Sequence, residues 1–454
     1  MSADFHFIAL GGVGQSALAR ILLCLGYSVQ GSDIKESKYT KLVESLGAEV
    51  FIGHNKDNIK GKPKVVVSSA IKQDNPELIK AKELGLQILH RSDCLKLISQ
   101  HFSCFIGFSG THGKTTTSGL CSFVLENLQK NPAYAIGGII PKLETNANCY
   151  KNSKYLIAEL DESDRTIVKY CPQKLVINNI QEDHLDNYKN LDDILETFKK
   201  LTYNLDDNST LFLNIDDRGV LELSKRIKNK NIVTYSINKE AHYQARNIVY
   251  KDLTSEFDIY KQNVFLGKVK LIIPGVHNIY NALSVISVLD NLGFKFSDYS
   301  KSLSEFTGMK RRFQVIFDNK IKLIDDYAHH PKEIEATLDA IKNLNRRKVV
   351  IFQPHRYTRL KALWDEFLNC FNSIDELFVL DVYSAGDKND ESFNSETFAG
   401  AIQNKGIKAQ YIKGSISEAA KQIALQLKKD DIVLTLGAGD ITNIGGEIND
   451  LLST

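Results

Sequence analysis

Phe108-Ser109-Gly110-Thr111-His112-Gly113-Lys114-Thr115-Thr116 follows a strand-like apolar run and opens Thr115–Leu128, which is apolar at i, i+3 and i+4. A strand, a glycine loop and a helix in that order form a phosphate-binding unit, and they place the chain among α/β proteins. The strict pattern G-x-x-x-x-G-K-[ST] calls for glycine at 108, where this chain has Phe108. What remains is the shorter Gly110-x-x-Gly113-Lys114-Thr115. Its amides are suited to cradle phosphates, Lys114 to reach the β/γ bridge and Thr115 to hold Mg²⁺. The reading is a site for ATP or GTP.

The same rhythm extends in both directions. Phe5–Leu10, Lys64–Ser69, Ser103–Gly110, Tyr155–Leu160, Lys174–Ile180, Thr210–Ile215, Lys348–Gln353, Glu376–Val382 and Asp431–Gly437 read as buried strands. Amphipathic segments such as Ala17–Leu25 and Pro331–Leu344 lie between them. Alternation of this kind builds parallel sheets with helices on both faces. A helix ends near residues 98–103, and the basic Gly308–Gln314 stretch separates a helical region from a new series. The expected domains are therefore residues 1–102, 103–312 and 313–454, with a polar, β-like meander near 235–275.

A chain of 454 residues is too long for one core, and about three domains of ~150 residues are expected. With 43% hydrophobic and 25% charged residues it reads as globular, and a net charge of +2 argues against a dedicated nucleic-acid or membrane surface. No window approaches the roughly 18 consecutive apolar residues of a spanning helix, and Met1–Gly12 shows no leader pattern. Seven scattered cysteines without a C-x-x-C pair read as reduced thiols, so the expectation is a cytoplasmic protein without a zinc site.

Further candidate sites sit at strand ends. Gly11-Gly12-Val13-Gly14-Gln15-Ser16-Ala17 fits G-x-G-x-x-A, and Asp33 lies 21 residues beyond Gly12. This is a diphosphate loop with a ribose-facing acid, or a plain strand–helix turn; alone it also admits an NAD-dependent oxidoreductase. Glu159-Leu160-Asp161-Glu162-Ser163-Asp164 reads as a solvated loop unless a phosphate site is near. In that case Glu159, directly after its strand, is the best-placed Mg²⁺ ligand. His184, among acids after another strand, is a candidate metal ligand, an orienter of an acyl phosphate or an ordinary surface histidine. Asn278 and Asn281 read as helix caps if taken alone. Lys310-Arg311-Arg312 is either a solvated linker or a clamp on polyphosphate. Asp325–Pro331, Gln353–Arg359, Asp381–Asp387 and Leu436–Asp440 should gather on one sheet edge, with Arg356 and Arg359 three apart as an anion clamp.

In this order, these motifs resemble the Mur ligase family over essentially the whole chain, and the short loop from Gly110 is the form that family uses. The resemblance implies an N-terminal Rossmann-like domain for a sugar nucleotide, a central P-loop domain for ATP, and a C-terminal Rossmann-like domain for the amino acid that closes over ATP. It implies that Gly12, Val13, Gly14, Gln15, Ser16, Asp33, Ser68 and Ser69 hold the sugar nucleotide. Gly110, Thr111, His112, Gly113, Lys114, Thr115, Thr116, Asn278, Asn281, Arg312 and Asp326 are implied to hold ATP, and Thr115, Glu159 and His184 the Mg²⁺. Lys114, His184 and Arg312 are the implied catalytic residues, while Tyr327, His329, Arg356 and Arg359 handle the amino acid and the reacting carboxylate. The implied substrates are UDP-N-acetylmuramate, ATP and L-alanine, with glycine and L-serine left open, on a monomer or weak homo-oligomer. Asn178 stands where threonine is common, Gln15 where methionine is frequent and Asp387 where glutamate is usual. Two other readings explain less: a ligase that attaches a whole tripeptide in recycling, and a P-loop ATPase of another role.

Overall fold

The computed structural model describes residues 3–183, 187–228 and 231–453. Three sheets carry the chain. The first joins β1 (Phe5–Ile8), β2 (Val29–Asp33), β3 (Glu49–Ile52), β4 (Lys64–Val67) and β5 (Ile88–His90) in the order β3-β2-β1-β4-β5, all parallel. Its order reverses between β1 and β4. The loops leaving these two strands hold Gly11–Ser16 and Ser68-Ser69, at the switch point where open α/β sheets bind ligands.

The second sheet has ten strands, ordered β15-β14-β13-β12-β11-β10-β6-β9-β7-β8. These are β6 (Cys104–Ser109), β7 (Ala133–Ile140), β8 (Thr145–Asn148), β9 (Tyr155–Glu159), β10 (Lys174–Ile177), β11 (Thr210–Asn214), β12 (Asn231–Ser236), β13 (Tyr243–Lys251), β14 (Thr254–Lys261) and β15 (Val264–Leu271). β6 pairs in parallel with β9 and β10, so the loops following all three emerge on one edge. The meander expected near 235–275 is β13–β15, joined by two-residue connections as only hairpins can be; Gln262 and Asn263 in the second both have positive φ.

The third sheet orders β16 (Gln314–Asp318), β17 (Lys322–Asp326), β18 (Lys348–Phe352), β19 (Glu376–Leu380), β20 (Lys408–Ile412) and β21 (Ile432–Leu436) as β16-β17-β21-β18-β19-β20. Only β16 is antiparallel. Alternate residues of its strands serve two cores. Val349 and Ile351 pack with Leu323, Phe378 and Val433, while Val350 and Phe352 pack with Ile324, Leu377 and Leu434. Burial on both faces explains why these strands read as unbroken apolar runs.

The chain separates into two compact units. The first runs up to Val249 and includes Glu256–Leu271 and Val276–Phe306; the second comprises Tyr250–Ser255, Ile272–Gly275 and everything from Thr307. Among the described residues no helix is long and apolar enough to cross a membrane.

Candidate active site

Among the described residues seven α-helices begin at a side chain that caps them: Ser37, Asn75, His90, Asn190, Asp217, Asn394 and Ser415. The two helices that follow glycine loops, Val13–Cys24 and Lys114–Asn127, begin instead at Gly12 and Gly113. Their first-turn amides have no capping side chain, and open amides at a helix N-terminus attract anions.

In the loop after β6, Gly110 and Gly113 have φ of +128° and +83°. A Cβ at Gly113 would stand 2.8 Å from Asn281 Oδ1. The loop after β10 braces this turn. Thr111 N donates to Asn179 O (3.1 Å), His112 N donates to Asn179 Oδ1 (2.7 Å), and Gln181 N donates to Thr111 Oγ1 (2.9 Å). Thr116 lies in the first helical turn. Lys114 Nζ donates to Gly110 O (2.6 Å), to Thr111 O (3.2 Å) and to the Glu162 carboxylate (2.8 and 3.0 Å).

Thr115 Oγ1 donates to Glu159 Oε2 at 3.1 Å, and Ser118 Oγ donates to Glu159 Oε1 at 3.3 Å. A hydroxyl and a carboxylate side by side below a phosphate loop are the hard oxygen donors that Mg²⁺ takes, so these residues fit that ion. His184 lies outside the described residues.

Asn278 and Asn281 are not caps. Both are buried within the helix Val276–Asn291 and three residues apart, which places them on one face. They end a buried relay in which Tyr235 OH donates to Asn178 Oδ1 (3.1 Å) and Asn178 Nδ2 to Thr117 Oγ1 (3.0 Å). Thr117 Oγ1 lies 3.0 Å from Asn281 Oδ1, and Asn281 Nδ2 donates to Asn278 Oδ1 (3.0 Å).

At the first glycine loop, Gly11 N donates to Asp33 Oδ2 at 2.8 Å, so Asp33 holds the turn itself. Gln15 and Ser16 are turned inward: Gln15 Nε2 reaches Ile8 O and Ser16 Oγ donates to Gly12 O. The Ser16 amide closes the first helical turn on Gly12 O at 2.9 Å, so the amides open to an anion are those of Val13, Gly14 and Gln15. Val13 and Gly14 are exposed. Ser69 Oγ lies 3.2 Å from His90 Nε2, and Ser68 O accepts from Ile71 N.

Arg91, which no motif marked, belongs to this region. A Cβ at Gly14 would stand 3.6 Å from Arg91 Nη1, and Arg91 Nη2 donates to Asp161 Oδ2 at 3.1 Å. Burial opposes ionisation of Asp161, but Lys114, the Ser163 amide and Arg91 outweigh it and hold its carboxyl below the usual range.

In the second unit the four strand-end segments do meet on one edge. Both oxygens of the buried Asp326 carboxylate accept from backbone amides, of Phe313 (2.7 Å) and Ala328 (2.8 Å). Burial still pushes that carboxyl up to about 6, against the pull of Arg312 and the two amides. The guanidinium groups of Arg311 and Arg312 lie 4.8 and 5.4 Å from the centre of the Tyr327 ring. Arg311 spends its charge on the carbonyls of Gly437 and Gly439, whereas Arg312 is exposed. Of the expected basic cluster, then, Lys310 and Arg312 face outward.

Tyr327, His329, His355 and Tyr383 form a ladder of rings with successive centroids 5.0, 5.8 and 5.5 Å apart. Arg359 Nη1 donates to His355 Nδ1 at 3.1 Å, and Arg356 is exposed beside it at φ +71°. Burial, then Arg359, His329 and Arg356, push His355 down to about 4, so it is neutral at pH 7 and accepts from Arg359. A histidine whose folded value lies below its unfolded value (about 6.5) stabilises the fold above that value, and this stability is lost as pH falls through the interval to about 4. Asp326 acts in the opposite sense, its stabilisation falling as pH rises from about 3.8 to about 6. On acidification from pH 7 to pH 5 the thermal midpoint of His355→Gln should therefore drop a few degrees less than that of the parent, as calorimetry would show.

Three family descriptions match in chain order: "Mur ligase family, catalytic domain" over residues 4–103, "Mur ligase middle domain" over 108–289 and "Mur ligase, glutamate ligase domain" over 311–439. The UDP-N-acetylmuramate–L-alanine ligase of Dictyoglomus turgidum is 43% identical, over 97% of this chain and 95% of that one. The chain belongs to the Mur ligase family. The corresponding enzyme of Carboxydothermus hydrogenoformans is 40% identical over the same shares. The crystal structure of the UDP-N-acetylmuramate–alanine ligase of Thermotoga maritima superposes with a TM-score of 0.82 at 29% identity, covering 99% of both chains. A murein peptide ligase of Psychrobacter arcticus, at 21% identity and a TM-score of 0.69, shares the fold. The protein is thus an ATP-dependent Mur ligase with three α/β domains.

Proposed function

We propose that the protein joins L-alanine to the carboxylate of UDP-N-acetylmuramate at the expense of ATP, releasing ADP and phosphate in peptidoglycan precursor synthesis. The observation that carries this reading is the phosphate loop with Lys114 and Thr115 set beside Glu159, in a chain whose relatives of that name match it nearly end to end. In our reading the functional division is 1–102 for the sugar nucleotide, 103–312 for ATP and 313–454 for the amino acid.

A carboxylate and an amine at neutral pH form a salt, so the carboxylate must first be activated. Transfer of the γ-phosphoryl group makes it an acyl phosphate. The loop Gly110–Thr116 holds the phosphates, chiefly through the amides from Gly113 to Thr116, since those of Thr111 and His112 are bonded to Asn179, and Lys114 meets the charge that develops on the transferring group. Thr115 and Glu159, with His184, would hold Mg²⁺, which would supply neutralisation of phosphate charge. Asn278 and Asn281 serve the nucleotide, and Arg312 and Asp326 act at the ATP site. Tyr327, His329, Arg356 and Arg359 take the amino acid, whose free amine attacks the acyl carbon and expels phosphate. We place the reaction in the cytoplasm, on a monomer or weak homo-oligomer with small molecules as its partners.

Arg91 extends the sugar-nucleotide set. An arginine–phosphate bond contributes roughly 1.5–3 kcal/mol, so Arg91→Ala should raise KM for the sugar nucleotide about tenfold or more. KM for ATP should stay within about twofold. Equal changes in both would remove Arg91 from the sugar-nucleotide site.

Phosphate release from ATP and Mg²⁺ tests the whole reading, with UDP-N-acetylmuramate and each of L-alanine, glycine, L-serine and the tripeptide as acceptor. Release should require the sugar nucleotide and be fastest with L-alanine. A preference for the tripeptide would move the protein to recycling, and release indifferent to every acceptor would leave an ATPase of another role.

A further inference from the structure

The acids of the 159–164 loop have separate partners. Glu159 faces Thr115, Asp161 faces Arg91, and Glu162 takes Lys114. Glu162 is 2% exposed and Lys114 15%. The turn that carries Glu162 is held as well, since its carbonyl accepts from Arg165 N at 2.9 Å and from the hydroxyl of the buried Tyr188. An ammonium has three N–H bonds. Those of Lys114 are spent on Gly110 O, Thr111 O and the Glu162 carboxylate.

A phosphate chain in this loop must draw the lysine from Glu162 or share it. With its main chain held and its side chain 2% exposed, the carboxylate stands as a buried negative charge beside an arriving polyanion. Two consequences follow. Its charge opposes nucleotide binding in the ground state. Its hold on the ammonium also keeps Lys114 from following the phosphates into a fully engaged ground-state contact, so that the contact strengthens as charge develops on the group in flight. Interactions made more strongly in the transition state raise turnover, and those made equally in both states do not.

We infer that Glu162 is a positioning residue for Lys114, one that weakens nucleotide binding and raises turnover. The inference rests on the proposed role of Lys114 in holding phosphates and adds to that role a residue acting through it.

Glu162→Gln keeps the shape and an acceptor for Lys114 but removes the charge. ADP affinity by calorimetry should rise at least about threefold while kcat for phosphate release falls at least about tenfold. A residue that merely supports the fold would move both in the same direction, weakening ADP and slowing turnover together. Glu162→Asp, which withdraws the carboxylate by one methylene, should shift both quantities in the same senses by less, and it serves if the glutamine variant does not fold. Looser or unchanged ADP binding, or unchanged turnover, in either folded variant overturns the inference. Lys114→Ala is the control. ADP binding unaffected by that change would remove the phosphate role of Lys114 itself, whereas weakened binding there without tightening in Glu162→Gln would remove only the role given to Glu162.

Discussion

Lys114→Ala should release phosphate from ATP at least about a thousandfold more slowly than the parent, because a preorganised cation at the transferring phosphoryl group is lost. The same change should also cost stability. It leaves the Glu162 carboxylate, 2% exposed, without its ammonium, and breaking a buried pair from one side costs on the order of 3 kcal/mol. The thermal midpoint of the first unit should fall by several degrees. The double variant Lys114→Ala/Glu162→Gln separates the two effects, since it removes the carboxylate's charge together with the ammonium. Its midpoint should recover while its turnover stays at the level of the single variant. Recovery of turnover in the double variant, or near-normal turnover in the single one, would show that Lys114 does not act on phosphate.

Gly110→Ala should be nearly as damaging, for a steric reason. At φ +128° a Cβ would stand 2.9 Å from Asn179 O and 3.0 Å from Asn179 N. Those atoms are backbone, and Asn179 O already accepts from Thr111 N, so the neighbour cannot yield without opening the loop. Strain and displacement together should cost about 3 kcal/mol and abolish measurable ADP binding. Gly26→Ala separates backbone strain from collision. Gly26 has φ +91° with nothing within 4 Å of its added Cβ. There the loss should be only about 1 kcal/mol, with ADP binding intact. Equal losses at the two positions would contradict the close approach at Gly110.

Much of this architecture is legible in the sequence because burial on both faces of parallel strands leaves unbroken apolar runs, and the candidate residues follow those runs at strand ends. β6, β9, β10 and the third sheet are all readable in this way. The partners of the acids at 159–164 are not. Four acids in six residues look like a solvated loop, and what divides them is contact with Thr115, Lys114 and Arg91, which reach them from other parts of the chain. Asn278 and Asn281 did carry a usable signal, their i, i+3 spacing on one helix face, which a capping interpretation ignores. Residue type and spacing alone do not rank Arg311 against Arg312, and only the family resemblance chose Arg312. Positive φ at Arg311 and Phe313 bends the chain there, and Arg311 is drawn to the carbonyls of Gly437 and Gly439, over a hundred residues away. Gln15 and Ser16 show the reverse case, in which residues of a recognisable loop turn their side chains into the fold, and Ser16 spends its amide there as well.

In the proposed reaction ATP activates the sugar-nucleotide carboxylate before the amine arrives. Incubating the purified protein with ATP, Mg²⁺, L-alanine and UDP-N-acetylmuramate labelled with ¹⁸O in the carboxylate tests it most directly, with mass spectrometry of the phosphate released. The phosphate released should carry one ¹⁸O atom, in step with the ligated product. Unlabelled phosphate would contradict it, because the carboxylate oxygen would then never have been bonded to phosphorus.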